Sequence, residues 1–441
     1  MVKNKSLFKS KWGFLLACVG SAVGMANVWG FPYKLGTNGG GAFLVAYLIF
    51  IALFSYVGLA AEYAIGRRAK TGTLGAYQNA WKSGGFEGIG KVIGWLPLAG
   101  SLCIAIGYAV ILAYVLKGWS ASITGSLMTV DSEAWFKSFA FVDFSVIPFH
   151  FVVIVGTLFT LTMGAESIEK TNKVMMPLFF ILFVIMAVRI AFLPHALEGY
   201  KFLFFPKWSK LLEPMVWVAA MGQAFFSLSV TGSGMIVYGA YLSDKEDVVG
   251  AAKQTGFFDT LAALLAALVM IPACYAYSLD PAAGPGLLFV TLPTILQNMP
   301  GGQVFAIILF TAVAFGGISS LQNMLEVVAE SLMNRFEGLR QKRVHVLLFL
   351  LVLCFGVGVN MNPITKWGPW MDFVSIYIIP IGATIGAVSW FWIAKKEDIL
   401  SEINRGSSKR YGDTWHRIGR YLYVPAALIL CIIALSMKIA F

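Results

Sequence analysis

The chain has 441 residues, of which 58% are hydrophobic and only 12% are charged. Ordinary globular domains carry about 25% charged residues, so this composition excludes a soluble domain and predicts an integral membrane protein. The formal net charge of +11 does not indicate a nucleic-acid partner, because the basic residues fall in short loops on one side of the predicted membrane, as membrane topology requires.

The cysteines and the N-terminal sequence exclude two further features. All five cysteines lie in apolar runs without paired spacing, so we expect neither a disulfide framework nor a zinc site. They are Cys18, Cys103, Cys274, Cys354 and Cys431. The first apolar run lacks an A-x-A-like cleavage site and leads straight into more membrane sequence, so we expect no cleavable signal peptide.

Hydropathy predicts eleven membrane-spanning helices and therefore an all-α integral membrane protein, with residues 1–441 forming a single transmembrane domain. The predicted spans are Trp12–Leu35, Ala42–Ile65, Val92–Leu116, Val146–Met163, Val174–Leu193, Pro214–Tyr241, Gly256–Tyr277, Gln303–Met333, Val344–Val359, Phe373–Ala394 and Ile418–Ile439. Most Lys and Arg residues lie on the side of the N-terminus, which predicts a cytoplasmic N-terminus. An odd number of spans then predicts a C-terminus outside. The apolar stretch Leu287–Leu296 is too short to span and predicts a helical outer loop.

The first span contains a run of small residues, Gly20 to Asn27, with a lone amide at a depth where polar groups are costly. One interpretation is a helix that breaks here and turns its carbonyls toward a cavity, since exposed backbone is tolerated in a membrane only there. The other is a closely packed helix whose small residues let neighbours approach. The run by itself leaves both open.

The sixth span contains a second small, hydroxyl-rich run, Ser227 to Gly234. If spans 1–5 (12–193) and spans 6–10 (214–394) form two halves, each half opens with an interrupted helix, and 418–439 is an extra helix. Five spans are an odd number, so the second half is inverted in the membrane relative to the first. Paired interruptions in inverted halves indicate the binding site of a secondary transporter. This favours a discontinuous first helix.

Polar groups in two later spans suggest an ion path. Asp259 in the seventh span has no basic neighbour, so it marks an ion or substrate path unless it lies near the inner interface. In the eighth span, the Gly316 carbonyl lies one helical turn before Ser320, so carbonyl and hydroxyl oxygens of Ser319 and Ser320 can converge on a cation such as Na⁺. The alternative is that both serines hydrogen-bond back to their own helix.

Two further side chains have two interpretations each. Glu62 lies near the inner end of the second span, where it either reaches toward the membrane surface or accepts amide protons from an unwound helix. Tyr108 lies in the middle of the third span, where it either offers its hydroxyl to a ligand or packs with that hydroxyl satisfied.

A series of motifs, taken together and in order, resembles the neurotransmitter:sodium symporter family, and most closely its bacterial amino-acid members of the eleven-helix, aromatic or hydrophobic amino-acid type. The resemblance covers nearly the whole chain. The motifs are Asn27-Val28-Trp29-Gly30-Phe31-Pro32, Asn38-Gly39-Gly40-Gly41-Ala42-Phe43, Glu62-Tyr63-Ala64-Ile65-Gly66-Arg67, Gln223-Ala224-Phe225-Phe226-Ser227-Leu228-Ser229, Val290-Thr291-Leu292-Pro293, Gly317-Ile318-Ser319-Ser320 and Met371-Asp372-Phe373.

The resemblance implies a five-plus-five inverted repeat with discontinuous helices 1 and 6, and symport driven by two sodium ions. By position it implies one sodium site at the Ala22 carbonyl, Asn27, Ser227, Asp259 and the substrate carboxylate. The second site would use the carbonyls of Gly20, Val23 and Gly316 with the hydroxyls of Ser319 and Ser320. The implied substrate-binding residues are Ala22, Met25, Ala26, Ile104, Tyr108, Phe226, Ser227, Ser229, Gly232, Ser320 and Met324.

The implied gates depart from the family pattern. Tyr108 would hold the substrate carboxylate, and Phe226 would close the pocket from outside. The family usually has an arginine where this chain has Gly30, so the outer salt bridge to Asp372 is missing. At the inner gate, Lys5 and Asn334 stand where the family usually pairs an arginine with an aspartate, and Phe8 replaces a tryptophan.

We therefore predict a sodium-coupled symporter of the plasma membrane that carries a zwitterionic amino acid by alternating access. Gly24 stands where biogenic-amine members carry an aspartate, so the substrate must bring its own carboxylate. Gly232 stands where related pockets often have a phenylalanine, which predicts room for a large hydrophobic or aromatic side chain. Asp259 supplies a fixed negative charge near the first sodium, which predicts independence of chloride.

Alternatives within and outside this class stay open. A symporter for small aliphatic amino acids or another carboxylate-bearing osmolyte would use the same sodium sites, and an ion channel is the alternative from a different class. No nucleotide-binding loop, metal cluster or catalytic triad appears in the sequence, so we do not expect an enzyme. The expected partners are the amino acid and the lipid bilayer.

Overall fold

The computed structural model describes residues 8–281 and 286–439, and every regular element in these two ranges is helical. This confirms the prediction of an all-helical membrane fold. The helices are α1 (Lys11–Ala22), α2 (Ala26–Thr37), α3 (Gly41–Ala69), α4 (Thr73–Ser83), α5 (Glu87–Ile123), α6 (Ser132–Ala140), α7 (Ile147–Phe159), α8 (Ala165–Ala191), α9 (Ala196–Phe204), α10 (Pro214–Ser227), α11 (Gly234–Ala240), α12 (Val248–Ala276), α13 (Leu287–Gln297), α14 (Gly302–Arg335), α15 (Arg343–Met361), α16 (Ile364–Ile393), α17 (Lys396–Asn404) and α18 (Asp413–Met437).

Each of the eleven predicted spans coincides with a helix or a broken pair of helices among the described residues. Eight helices are long and apolar enough to cross a membrane, and the bent pair α1–α2 makes a ninth span. The other two predicted spans fall on α7, which has 13 residues, and on the pair α10–α11. The short apolar stretch after the seventh span forms α13, which packs against α14 with most of its side chains buried.

The two predicted interruptions are real breaks in the helices. The axis of α2 is bent by 54° from that of α1, and the backbone of Val23 at the end of α1 is extended, with ψ 115°. Residues 228–233 separate α10 from α11, and there Ser229 and Gly232 have positive φ angles of 53° and 78°. Such left-handed backbone ends the helical hydrogen-bond ladder and leaves peptide groups free for other partners.

The fifth span is longer than hydropathy predicts, because α8 begins at Ala165 rather than at Val174. Its extra N-terminal turns are polar but have partners inside the protein. Glu169 accepts hydrogen bonds from the Lys9 backbone N–H (2.6 Å) and the Ser10 hydroxyl (2.8 Å), and α8 packs along α1. A hydropathy scan discounts such residues, since it does not register polar groups that are satisfied within the bundle.

Ion pairs tie the chain together at one end of the helix bundle, near the end of α11. The Lys70 ammonium donates to the Asp244 carboxylate at 2.9 Å, which holds the pKa of Asp244 below its usual value. Nearby, the buried guanidinium of Arg67 pairs with Glu402 of α17 at 2.5 Å. These contacts join α3, α17 and the segment after α11 on one face of the bundle.

Candidate functional site

The break between α1 and α2 is held open by side chains from its surroundings. The Gly24 N–H donates to Asn27 Oδ1 (3.0 Å), and the Met25 N–H donates to the hydroxyl of Tyr108 (2.8 Å). Tyr108 comes from the middle of α5 and is buried. The structure thus gives the Tyr108 hydroxyl a backbone partner at the point where the first helix is interrupted.

Glu62 performs the corresponding role at the break between α10 and α11. Its two carboxylate oxygens accept hydrogen bonds from the backbone N–H groups of Gly232 (2.8 Å) and Met235 (3.2 Å). Of the two interpretations of Glu62, the structure therefore has the one in which it receives amide protons from an unwound helix.

The first oxygen cluster, which we call the carboxylate cluster, consists of Asn27, Ser227 and Asp259, and all three are fully buried. The Ser227 hydroxyl contacts both carboxylate oxygens of Asp259 at 2.8 and 2.9 Å. Asn27 Nδ2 donates to Asp259 Oδ1 (2.7 Å) and to the Ser227 hydroxyl (3.1 Å). Tyr47 OH lies 3.3 Å from Asp259 Oδ2. Four helices, α2, α3, α10 and α12, thus meet at one carboxylate.

The second oxygen cluster, which we call the serine cluster, consists of the carbonyls of Gly20, Val23 and Gly316 and the hydroxyls of Ser319 and Ser320. The Ser319 hydroxyl lies 2.8 Å from both the Gly20 and the Gly316 carbonyl oxygens. The Ser320 hydroxyl lies 3.0 Å from the Val23 carbonyl oxygen. The cluster joins the end of α1 to the middle of α14 and contains no charged group. Carbonyl and hydroxyl oxygens of this kind suit a hard cation.

A small cavity of about 30 Å³ lies between the broken helices, and none of the described residues that line it is charged. Eight of its lining residues belong to the predicted substrate-binding set: Ala22, Ala26, Ile104, Tyr108, Phe226, Ser229, Ser320 and Met324. Gly24, which was predicted only as the position that lacks the aspartate of amine carriers, also lines the cavity. The cavity therefore lies next to both oxygen clusters.

Gly232 is not among the described residues that line this cavity, contrary to the prediction. A Cβ at Gly232 would point at the Gly382 carbonyl oxygen (2.4 Å) and the hydroxyl of Tyr77 (2.7 Å), away from the cavity. Its backbone carbonyl accepts a hydrogen bond from the same tyrosine hydroxyl at 2.9 Å. The glycine is required here by the backbone and by the close approach of α16, so its lack of a side chain adds no volume to the pocket.

The structure also places two other predicted substrate-binding residues elsewhere. Met25 lines the larger cavity described below and not the small one. Ser227 belongs to the carboxylate cluster, where its hydroxyl is engaged by Asp259. Ala22, whose backbone carbonyl was predicted as a ligand of the first sodium ion, lines the small cavity.

Four polar residues that line the cavity, Ser21, Ser101, Thr231 and Asn323, are not among the predicted substrate-binding residues. Ser101 lies on the same face of α5 as Tyr108, seven residues earlier, and Asn323 lies one turn after Ser320 on α14. Helical spacing from residues already singled out could have found these two. Thr231 lies in the irregular segment 228–233, where no such periodicity operates.

A larger cavity of about 320 Å³ lies on the other side of Phe226. Ala26, Tyr108 and Phe226 line both cavities and so separate them. The lining of the larger cavity includes Trp29, Gly30, Lys34, Gln223, Trp367 and Asp372. Gly30 offers no partner for Asp372, as the sequence predicts, and Lys34 is the cationic residue of this lining.

The predicted inner gate is only partly described. Lys5 lies outside the described residues. Asn334 donates to its own helix, to the Glu330 carbonyl and carboxylate oxygens, both at 2.8 Å. Phe8 packs against the aromatic rings of Phe14, Tyr238 and Tyr241.

Known proteins resemble this chain along nearly its whole length. A family model described as the Sodium:neurotransmitter symporter family matches residues 5–145 and 136–440. The uncharacterized sodium-dependent transporter YhdH of Bacillus subtilis (strain 168) is 32% identical in an alignment that covers 96% of this chain and 95% of the relative. An uncharacterized sodium-dependent transporter of Methanocaldococcus jannaschii is 28% identical in an alignment that covers 93% of this chain and 87% of the relative.

A solved structure has the same fold. The crystal structure of MhsT in complex with L-phenylalanine matches with a TM-score of 0.87 and 30% sequence identity, covering 98% of this chain and 100% of that one. The residues matched by the family model span the positions of both oxygen clusters and of the small cavity.

Proposed function

Because this chain belongs to the Sodium:neurotransmitter symporter family, we propose that it carries a neutral, zwitterionic amino acid together with two sodium ions by alternating access. The observation that carries the proposal is the position of two oxygen clusters on either side of a broken helix, next to an uncharged cavity. An uncharged cavity favours a substrate without net charge, since a buried unpaired charge is costly.

We assign one sodium ion to each cluster. At the carboxylate cluster, Asp259 and Ser227 would contribute oxygen atoms, and the Asn27 amide would rotate to present Oδ1 in place of Nδ2. The substrate carboxylate would complete this site. At the serine cluster, the ion would be held by the carbonyls of the first helix and the two serine hydroxyls.

The substrate proposal is a large hydrophobic or aromatic amino acid. Ile104, Phe226 and Met324 give the cavity apolar walls, and methionine adapts easily to different shapes. The structural neighbour MhsT was solved with L-phenylalanine, which supports an aromatic substrate here. The support that the sequence drew from Gly232 does not hold, so the proposal now depends on these walls and on that neighbour.

The driving force follows from the charges moved. Two sodium ions and a neutral zwitterion carry two charges, which provide about 4.6 kcal/mol at 100 mV. Two tenfold sodium gradients add about 2.8 kcal/mol, so accumulation of about 10⁵-fold is the thermodynamic limit.

Uptake of radiolabelled phenylalanine into proteoliposomes tests the proposal. We expect uptake that disappears when K⁺ replaces Na⁺ and that increases with an inside-negative potential. Tyramine and tryptamine should compete poorly, because they lack the carboxylate. Uptake that persists in K⁺ would refute sodium coupling, and currents far above about 10³ ions per second would indicate a channel, since alternating access occurs on the μs–ms scale.

The proposed location is the plasma membrane, with the N-terminus cytoplasmic and the C-terminus outside. The excess of Lys and Arg in the loops on the N-terminal side supports this orientation. Labelling of single cysteines introduced at exposed Lys9 and Lys366 with an impermeant reagent on intact cells tests it, and only the second should react.

A further inference from the structure

Asn172 Oδ1 is a buried polar atom next to the serine cluster that has no hydrogen-bond partner among the described residues. Asn172 of α8 is fully buried, and its Nδ2 donates to the Ile168 carbonyl and to Gln322 Oε1, both at 2.9 Å. The two donated bonds fix the orientation of the amide, because only a nitrogen can supply them. Oδ1 is left without a hydrogen-bond partner among the described residues, and such an arrangement is unfavourable unless a water or an ion completes it.

This oxygen lies against the residue whose carbonyl belongs to the serine cluster. Asn172 Oδ1 is 2.1 Å from the position that a Cβ of Gly20 would occupy, and Ser319 Cβ is 3.0 Å from the same position. A Cβ and the carbonyl oxygen of the same residue are roughly 3 Å apart in standard backbone geometry. The Asn172 oxygen therefore lies within about 5 Å of the Gly20 carbonyl oxygen.

A line of polar side chains leads away from this point. Gln322, which accepts from Asn172, is fully buried and donates to the hydroxyls of Thr160 (2.6 Å) and Thr171 (3.0 Å). These two threonines are only half buried, at the end of α7 and in the first turns of α8. The cluster is thus connected to the edge of the bundle on the N-terminal side by amides and hydroxyls.

We propose that Asn172 belongs to the second sodium site, with its Oδ1 facing the ion in the serine cluster directly or through one water molecule. The cluster supplies five oxygen atoms, from three carbonyls and two hydroxyls, and none of them carries a formal charge. A further neutral oxygen, already oriented and free of competing donors, strengthens the site without an ordering penalty. This inference depends on the proposed function, because it concerns the binding of a sodium ion assigned there.

The melting temperature of the purified full-length protein, measured against sodium concentration at constant ionic strength, tests the inference without any knowledge of the substrate. Asn172→Ala removes the oxygen, and we expect the sodium concentration for half-maximal stabilisation to rise about tenfold, as for the loss of one hydrogen-bond-sized interaction with a charge. Asn172→Asp replaces the amide by a carboxylate, and we expect the same concentration to fall. Asn362→Ala is the control, since Asn362 is also fully buried and its side chain has no hydrogen-bond partner among the described residues.

The two variants separate ion binding from a purely structural role. If Asn172 only supports Gln322, both substitutions weaken the same contact, and sodium affinity will fall or stay constant in both variants. Either result overturns the inference, whereas shifts in opposite directions support it. A wild-type protein whose melting temperature does not respond to sodium would overturn the proposed function itself, and this inference with it.

Discussion

The carboxylate cluster and the serine cluster lie on either side of one helix break but obtain their oxygen atoms differently. The carboxylate cluster is built from side chains around Asp259, and these already satisfy one another by hydrogen bonds. The serine cluster combines three oxygens of α14, from Gly316, Ser319 and Ser320, with the Gly20 and Val23 carbonyls at the point where α1 stops. The first cluster therefore brings its own charge, whereas the second depends on the conformation of two helices.

This difference separates the expected tasks of the two ions. An ion at Asp259 neutralises a buried carboxylate and, in our proposal, the carboxylate of the substrate. An ion in the serine cluster neutralises nothing; it joins α1 to α14 and so stabilises one arrangement of the bundle. We expect substitutions in the first cluster to act through charge and substitutions in the second to act through geometry.

Asp259→Asn tests the charged side of the comparison and should have the largest effect. At about 4 Å and an effective dielectric constant of 20, the attraction between a sodium ion and a carboxylate is about 4 kcal/mol, which corresponds to about 10³-fold in affinity. We expect sodium-dependent stabilisation and uptake to fall by that order in proteoliposomes and in melting experiments. Asp143→Asn, at an exposed ion pair with Lys366, is the control. Wild-type sodium affinity in Asp259→Asn would contradict the assignment of the first ion.

The chloride dependence of uptake is a second test of the fixed negative charge at Asp259. With the Asp259 carboxylate in place, we expect wild-type uptake to be equal in chloride and in gluconate buffer at constant Na⁺. Asp259→Ser removes the fixed charge, and any uptake that remains should increase when Cl⁻ is added. A collapse of wild-type uptake in gluconate would mean that Asp259 does not supply the compensating charge.

Ser319→Ala and Ser320→Ala test the neutral cluster and should have intermediate effects. Each removes one hydroxyl oxygen, and a hydrogen-bond-sized contact with a charge is worth about tenfold in sodium affinity. The Ser319 hydroxyl bonds to the Gly20 and Gly316 carbonyls, and Ser319 is not among the described residues that line the cavity, whereas Ser320 lines it. We therefore expect Ser319→Ala to change the sodium dependence of phenylalanine uptake alone and Ser320→Ala to change its apparent KM as well. Ser138→Ala, on the exposed side of α6, is the control. Identical behaviour of Ser319→Ala and Ser320→Ala would contradict a separate role of Ser320 in lining the cavity.

Tyr47→Phe should have the smallest effect. It removes a hydroxyl 3.3 Å from Asp259 Oδ2, at the long end of hydrogen-bond distances. The three shorter contacts of the carboxylate, with Asn27 and Ser227, stay in place. We expect sodium affinity in the melting experiment to change by about threefold. Tyr56→Phe, on the same helix but next to Lys253, controls for loss of a hydroxyl from α3. A loss as large as that of Asp259→Asn would mean that the tyrosine holds the ion itself.

The sequence predicted the elements of the site better than the directions of its side chains. Asn27 lies 200 residues before Ser227 and 232 residues before Asp259 in the chain. Each of the three nevertheless belongs to a motif or a lone polar position inside an apolar span, and the structure brings them together. Gly232 lay in such a run too, yet the direction of a Cβ depends on backbone angles that a motif does not specify. Its positive φ turns that direction toward α16.

The polar first turns of α8 were missed because their composition is typical of a loop. The sequence from Gly164 to Lys173 is rich in charged and polar residues, and hydropathy starts the fifth span only after it. In the structure it forms the first turns of α8, where Glu169 holds the N-terminal segment and Asn172 faces Gly20. Polar residues that find partners within a membrane bundle are not distinguishable by hydropathy from residues in water. The inverted-repeat division into 12–193 and 214–394 stays a prediction.

The sequence separation within the two clusters has a consequence for biosynthesis. Ser319 follows its partner Gly20 by 299 residues, and Asp259 follows Asn27 by 232 residues. At roughly 5–20 residues per second of translation, the carbonyls at the end of α1 are made about 15 to 60 s before the serines that contact them. During that interval the first helix must leave the translocon with these carbonyls bonded to something else, to water, to lipid headgroups or to a continuous helix through residues 23–25. The break would then form late, when α14 arrives, as one of the last steps in the maturation of the nascent chain.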